Sequence, residues 1–199
     1  TATDDFQFPL TIDYDYHRSP ADIFDRAPLP GIERWAEFLP PLMPGLSMGE
    51  GGTPLVAAPR LAKWAGVGHE VYIKDESRNP TGSHKDRLNL CTVSSAVLAG
   101  APGVTVASSG NHGAAAAAYA ARAGLPCVLF ITEGTEPHLI RMVTAYGAAV
   151  VALPRQQRRV LMRELVRRAG YVPVSSITDT HTGHPFGPEG YKTIAYELY

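Results

Sequence analysis

The stretch Gly103-Val-Thr-Val-Ala-Ser-Ser-Gly-Asn-His-Gly113 starts as a β-branched run, turns through a small-residue loop and enters the alanine-rich segment Ala114–Ala123. Alanine is the strongest helix former, and Gly124 stands where a helix can end in a left-handed cap. The same alternation continues. Cys127–Ile131 is an apolar run of strand length, and Pro137–Tyr146 reads as a helix opened by proline and followed by Gly147. Ala149–Leu153 is another buried strand, Pro154–Ala169 a second proline-opened helix, and Tyr171–Val174 a last short strand. Short apolar strands alternating with longer helices indicate βαβ units on a parallel sheet, so residues 103–175 are expected to form a doubly wound α/β unit.

Toward the N-terminus, Val71–Asp75 reads as a strand, Arg78–Gly82 as a turn and Ser83–Leu98 as a helix. Ser83 is its expected N-cap and Asp86 the acid of its first turn. Residues 1–50 contain Pro9, Pro20, Pro28, Pro30, Pro40, Pro41 and Pro44, a density that forbids long helices and central strands. They are expected to form an extended arm packed over the rest, with a short helix near Gly31–Phe38. A final helix starts near Pro188-Glu189, with Ile194, Leu198 and Tyr199 on a face that lacks an evident partner.

The 199 residues are 45% hydrophobic and 19% charged, with 18 basic and 19 acidic side chains and a net charge of −1. That balance carries no electrostatic signature of nucleic-acid or anionic-membrane binding, and no apolar run reaches the length of a membrane helix. Thr1–Asp5 is polar and acidic, unlike a secretory signal. Two cysteines, Cys91 and Cys127, make neither a disulfide framework nor a zinc spacing. A reducing cytoplasmic location is the expectation.

Two segments suggest chemistry. Ser108-Ser-Gly-Asn-His-Gly113 lies between a strand and a helix start, where free N–H groups and the helix dipole favour an anion. A plain turn with a cap fits the same residues, and the dinucleotide fingerprint is absent. Lys85 falls in the first turn of a helix, at the pole that disfavours a cation. A lysine pushed toward neutrality is a nucleophile for carbonyl chemistry, whereas a solvated lysine beside Asp86 is the plainer alternative. The only other lysines are Lys63, Lys74 and Lys192, each in a blander setting. His181-Thr-Gly-His184 has a metal-like spacing but no carboxylate or thiol companion, so no metal is expected. The arginines between Arg155 and Arg168 form a solvated face, with Leu161, Leu165 and Val166 turned inward.

These segments occur in the order Gly51-Gly-Thr-Pro-Leu55, Lys74-Asp-Glu-Ser77, Asn79-Pro-Thr-Gly-Ser-His-Lys-Asp-Arg87, Ser108-Ser-Gly-Asn-His-Gly113 and Glu189-Gly-Tyr-Lys-Thr193. The order resembles the fold-type II (tryptophan synthase beta-like) pyridoxal-phosphate enzymes, most of all the threonine synthases, and covers their N-terminal half from about residue 49 onward. The resemblance implies pyridoxal 5′-phosphate as cofactor, covalently held by Lys85, with Asn111 on its phenolic oxygen and His84 in its pocket. Ser108, Ser109, Gly110, Asn111 and His112 would grip the substrate's α-carboxylate. The implied activity is elimination and replacement at the β or γ carbon of an activated amino acid. Related dehydratase, ammonia-lyase or cysteine-synthase-like activities, or a non-catalytic interaction subunit, remain open. His84 stands where the family often has phenylalanine. The family's glycine-rich phosphate loop, and the Ser or Thr facing the pyridine nitrogen, would lie beyond residue 199. The implied organisation is an arm (1–50), the cofactor-lysine segment of a larger domain (51–102), a smaller α/β domain (103–175) and the start of the rest of the larger domain (176–199). A truncated larger domain further implies a homo-oligomer or a complementary C-terminal segment.

Overall fold

The computed structural model describes residues 11–18, 20, 22–25, 31–177 and 184–199. In chain order these carry a 3-10 turn at Tyr16–Arg18, a 3-10 segment Ile32–Phe38, β1 (Leu55–Ala57), α1 (Pro59–Ala65), β2 (Tyr72–Lys74) and a 3-10 turn at Glu76–Arg78. Then follow α2 (Lys85–Leu98), β3 (Val104–Ala107), α3 (Asn111–Ala123), β4 (Cys127–Thr132), α4 (Pro137–Ala145), β5 (Ala149–Leu153), α5 (Arg155–Ala169), β6 (Val172–Pro173) and α6 (Gly187–Leu198).

The parallel sheet has the order β5-β4-β3-β6. From β3 the chain steps to β4 and β5 in one direction, then crosses back beyond β3 to β6. Right-handed crossovers therefore put α3 and α4 on one face and α5 on the other. β3 is the strand at which the winding reverses, so the crevice for a ligand opens at its carboxyl end. Val104, Thr105 and Val106 are buried, as a strand covered on both faces requires.

α3 shows why an alanine run belongs here. Gly113–Ala120 is buried without interruption, because α3 packs against α2, α4, β3 and β4 at once. Small side chains let backbones approach on every side, and Gly113 permits the closest contact: a Cβ there would sit 2.9 Å from Leu129 Cδ1. At α5 the sequence expectation is corrected. Met162 is the fully buried residue and Leu165 and Val166 are half-buried, whereas Leu161 is 41% exposed, so Leu161 does not belong to the inner face and Met162 takes its place. Met162 reaches Ser175 beside β3, a position set by where the sheet lies and not by the hydrophobic count.

The described part of the proline-rich segment supplies several buried apolar side chains. Ile32, Trp35, Phe38, Leu39 and Leu46 are buried, and the rings of Trp35 and Phe38 each lie 5.4 Å from that of Tyr196 on α6. β1 and β2 form a separate two-stranded antiparallel sheet whose apolar side chains stay open: Leu55, Val56, Tyr72 and Ile73 are each about half exposed. No helix among the described residues is long and apolar enough to cross a membrane.

Candidate active site

Lys85 is the first residue of α2. The cap position falls on His84, one residue later than expected, although the Ser83 hydroxyl still accepts the Lys85 backbone N–H at 3.2 Å. The neighbours of Lys85 are scaffold. Asp86 is no solvated partner of the lysine; it is fully buried and accepts the Thr81 amide at 2.9 Å and the Thr81 hydroxyl at 2.6 Å. Burial pushes its carboxyl upward, and the Thr81 bonds oppose that.

Arg87 is also fully buried and joins three parts of the chain. Its Nε and Nη2 donate to the two carboxylate oxygens of Glu76 at 2.8 Å each. Nη1 and Nη2 donate to the two oxygens of Glu197 at 2.6 and 2.8 Å. Two-pronged pairing of this kind is what makes a buried guanidinium tolerable. Asn79 adds bonds to Glu76 and accepts the Gly51 amide at 2.9 Å. The turn that leads into Lys85 is thereby clamped to the Gly51–Thr53 loop and to the end of α6.

The four lysines now separate by environment. Lys63 is exposed on α1. Lys192 pairs with Glu189 at 2.6 Å, and Lys74 with Glu197 at 2.6 Å. Lys85 Nζ instead meets a neutral oxygen, the Tyr191 hydroxyl of α6, at 2.7 Å. It is half-buried, and burial pulls its ammonium below the ordinary lysine range. The position that the helix dipole made suspect is a desolvated amine.

The Ser108–Gly113 loop sits at the carboxyl end of β3, the switch point of the sheet. Ser109 Oγ accepts the Thr132 amide at 2.9 Å, which ties the loop to the end of β4. Ser108 Oγ accepts the Gly110 amide at 3.3 Å. Asn111 is exposed, and a Cβ on Gly110 would meet nothing within 4 Å, so the surface over the start of α3 is open. His112 is bound to the backbone of Val174 while its Nε2 is buried without a hydrogen-bond partner. Burial, then the charge of Lys85, then that of His84 hold its imidazole down to about 4, so it is neutral near pH 7. The charges of Lys85 and His84 thus reach His112, which puts the three in one neighbourhood although two helices supply them. The His84 ring lies 5.3 Å from that of Tyr191.

Three features escaped the sequence reading: the Tyr191 contact, the Glu76–Arg87–Glu197 network, and buried Glu50, which accepts the Tyr119 hydroxyl and the Ser47 hydroxyl. Tyr191, Glu76 and Arg87 lay in segments singled out beforehand, but nothing in those segments pointed to their partners. A cavity of about 490 Å³ lined by Phe24, Trp35, Lys74, Tyr196 and Glu197, among others, includes none of the residues named for chemistry. His181–Gly183 lie outside the described residues. The adjoining His184 accepts the Phe186 amide at 3.2 Å.

Comparison with known proteins matches residues 46–199 to the family described as pyridoxal-phosphate dependent enzyme. Threonine synthase of Halalkalibacterium halodurans is 38% identical over 170 residues, which are 84% of this chain and 46% of that protein. The chain thus spans about half the length of the curated relatives it matches. Among solved structures, a pyridoxal 5′-phosphate-dependent aspartate racemase superposes with a TM-score of 0.64 at 31% identity, over 73% of this chain and 44% of that one. Escherichia coli diaminopropionate ammonia lyase in its apo form superposes at 0.66 and 18% identity, over 81% and 55%, a likeness of fold.

Proposed function

The chain belongs to the pyridoxal-phosphate dependent enzyme family, and on that premise we propose that Lys85 carries the cofactor in a lyase of threonine-synthase type. The reaction is β/γ elimination and replacement on an activated amino acid. The observation that carries the reading is the setting of Lys85: a half-buried amine on a neutral hydroxyl, beside a loop whose helix start is open.

The residues present fit the group. The Lys85 amine is desolvated, and the buried Nε2 of His112 is left without a partner in the same neighbourhood. Pyridoxal phosphate, when bound, supplies an electron sink for a carbanion at the amino acid's α-carbon. Lys85 would hold it covalently, and its amine, once released, would take and return the α-proton. Asn111 would donate its side-chain amide to the phenolic oxygen, with His84 flanking the pocket. The first N–H groups of α3, at Asn111 and His112, would bind the α-carboxylate with the helix dipole behind them. Ser108, Ser109 and Gly110 would hold that loop in shape; Ser109 would act through its bond to Thr132. Thr81, Asp86 and Arg87 would keep the lysine-bearing turn in register.

The division of the chain into arm, lysine segment (51–102), smaller α/β domain (103–175) and remaining segment belongs to the same proposal. So does a cytoplasmic setting, which the two buried free thiols Cys91 and Cys127 suit. The 31% identity to an aspartate racemase supports a second reading, in which the α-proton is moved without loss of a leaving group. Assaying for a released leaving group against inversion at the α-carbon separates the two.

Adding pyridoxal phosphate to the purified chain, reducing with borohydride and mapping peptides tests the lysine. The label is expected on Lys85. Lys85→Ala should lose the visible absorption band, whereas Lys63→Ala should keep it. A band that survives in Lys85→Ala overturns the assignment.

A further inference from the structure

We infer that Tyr191 is the positioning residue of Lys85: its hydroxyl receives the free amine at 2.7 Å and sets both where Nζ points and how tightly it holds its proton. The inference rests on the reading that Lys85 is the reacting amine, and adds to it a group from the opposite helix.

The contact is built in by the backbone. Gly190, which precedes Tyr191, lies so close to α2 that a Cβ on it would stand 2.1 Å from the Arg87 carbonyl oxygen. Thr193 bonds back to the Gly190 carbonyl at 2.6 Å and accepts Arg87 Nη1 at 2.8 Å. Helix α6 therefore cannot rotate or slide on α2 without breaking the Arg87 network, and Tyr191 is delivered to Lys85 in one orientation. The His84 ring packs at the side of the Tyr191 ring, 5.3 Å between centroids.

The groups around the amine make the hydroxyl decisive. On its own element Lys85 has His84 and Arg87; Glu76 comes from the preceding turn, His112 from α3 and Tyr191 from α6. Glu76 is committed to Arg87. His84 and His112 are both pushed down, by burial first and by the Lys85 charge next, and His112, held at about 4, is neutral near pH 7. The Tyr191 phenol is pushed up by burial and keeps its proton. Its neutral oxygen is thus an acceptor for the ammonium, which favours the charged form and offsets part of the desolvation. Without it the amine would be both unaimed and more easily deprotonated.

The chain has four lysines, so reductive ¹³C-methylation of the full protein yields a spectrum simple enough to titrate site by site. Tyr191→Phe keeps the ring and removes the acceptor. The Lys85 midpoint is expected to fall by about one pH unit, the size of one hydrogen bond to a charged group, while those of Lys63 and Lys192 stay in place. In the unsubstituted protein, ¹³C-labelled tyrosine provides a readout that needs no variant: the Tyr191 ring signal should step at the Lys85 midpoint. A Lys85 midpoint unmoved in Tyr191→Phe, or a Tyr191 signal that ignores it, overturns the positioning role. Borohydride trapping run alongside keeps the two claims apart. Label on Lys85 with an unmoved midpoint removes only Tyr191, whereas label on another lysine removes the reading of Lys85 and this inference with it.

Discussion

Gly110 decides whether the loop before α3 is a site or only a turn. Its backbone is extended (φ −161°, ψ −154°), a conformation open to any residue, and a side chain there would point into empty space. Gly113, three residues on, is the opposite case, held by the proximity of Leu129 and the Ser108 carbonyl. A Gly110→Leu protein should therefore fold like the original while its side chain covers the first N–H groups of the helix. Affinity for an amino-acid ligand should drop by about 10- to 100-fold, the loss of one charge-assisted hydrogen bond to its carboxylate, with cofactor affinity much less changed. Fluorescence titration of each ligand reads this, and equal losses, or none, would reduce the loop to a turn.

At the scale of elements, α2 is the helix that a pattern reading handles worst. Asp86, Arg87, Asn89, Thr92 and Ser94 are all buried, so it has no polar face to contrast with an apolar one. It is stable there because each charge has a partner, chiefly Arg87 between Glu76 and Glu197. Arg87→Leu leaves the half-buried carboxylates of Glu76 and Glu197 without their shared guanidinium, Glu197 keeping only Lys74 as a charged partner, and should cost about 3 kcal/mol in denaturant unfolding. The pH dependence has a definite sign. Burial raises both glutamates, yet the bonds from Arg87, joined by Thr53 and Asn79 at Glu76 and by Lys74 and the Gly52 amide at Glu197, outweigh it and hold each carboxyl below its ordinary value of 4.5. Their stabilisation is present above that value and is lost as pH falls through the lowered native range. In Arg87→Leu only Lys74 and the Gly52 amide still hold Glu197 and only Thr53 and Asn79 still hold Glu76, so the burial is less well offset, protonation relieves it, and the stability gap between the two proteins should narrow on acidification. A gap that widens would show that the network is not what holds α2 and α6 together.

The whole molecule has one face at odds with its interior. β1 and β2 are three residues each, and their sheet leaves Leu55, Val56, Tyr72 and Ile73 about half exposed, with Trp64 of α1 84% exposed nearby in sequence. A two-stranded sheet has little stability alone, and its open edges invite further strands. Either expectation from the sequence, a second copy or a complementary C-terminal segment, would cover such a ribbon. In sedimentation velocity the 199-residue protein should form dimers or larger species at about 10 μM, and Ile73→Lys should shift it toward monomer. A monomer throughout that range would mean that another copy is not what covers the ribbon.

The sequence by itself determined the parallel α/β unit, its helix ends and Lys85 as the amine to suspect. These rest on local physics: β-branched and apolar runs, proline at helix starts, glycine in the left-handed cap, and a cation at the wrong pole of a helix. It did not determine whether Leu161 or Met162 of α5 turns inward, since the two are equally apolar and only the position of the sheet chooses Met162. Nor did it pair Arg87 with Glu197, 110 residues away, or set Tyr191 against Lys85 across 106. Those contacts depend on how closely α6 settles on α2 at Gly190. A buried charge or amine finds its partner only through such packing, because desolvation acts on the folded molecule and leaves no local mark in the sequence.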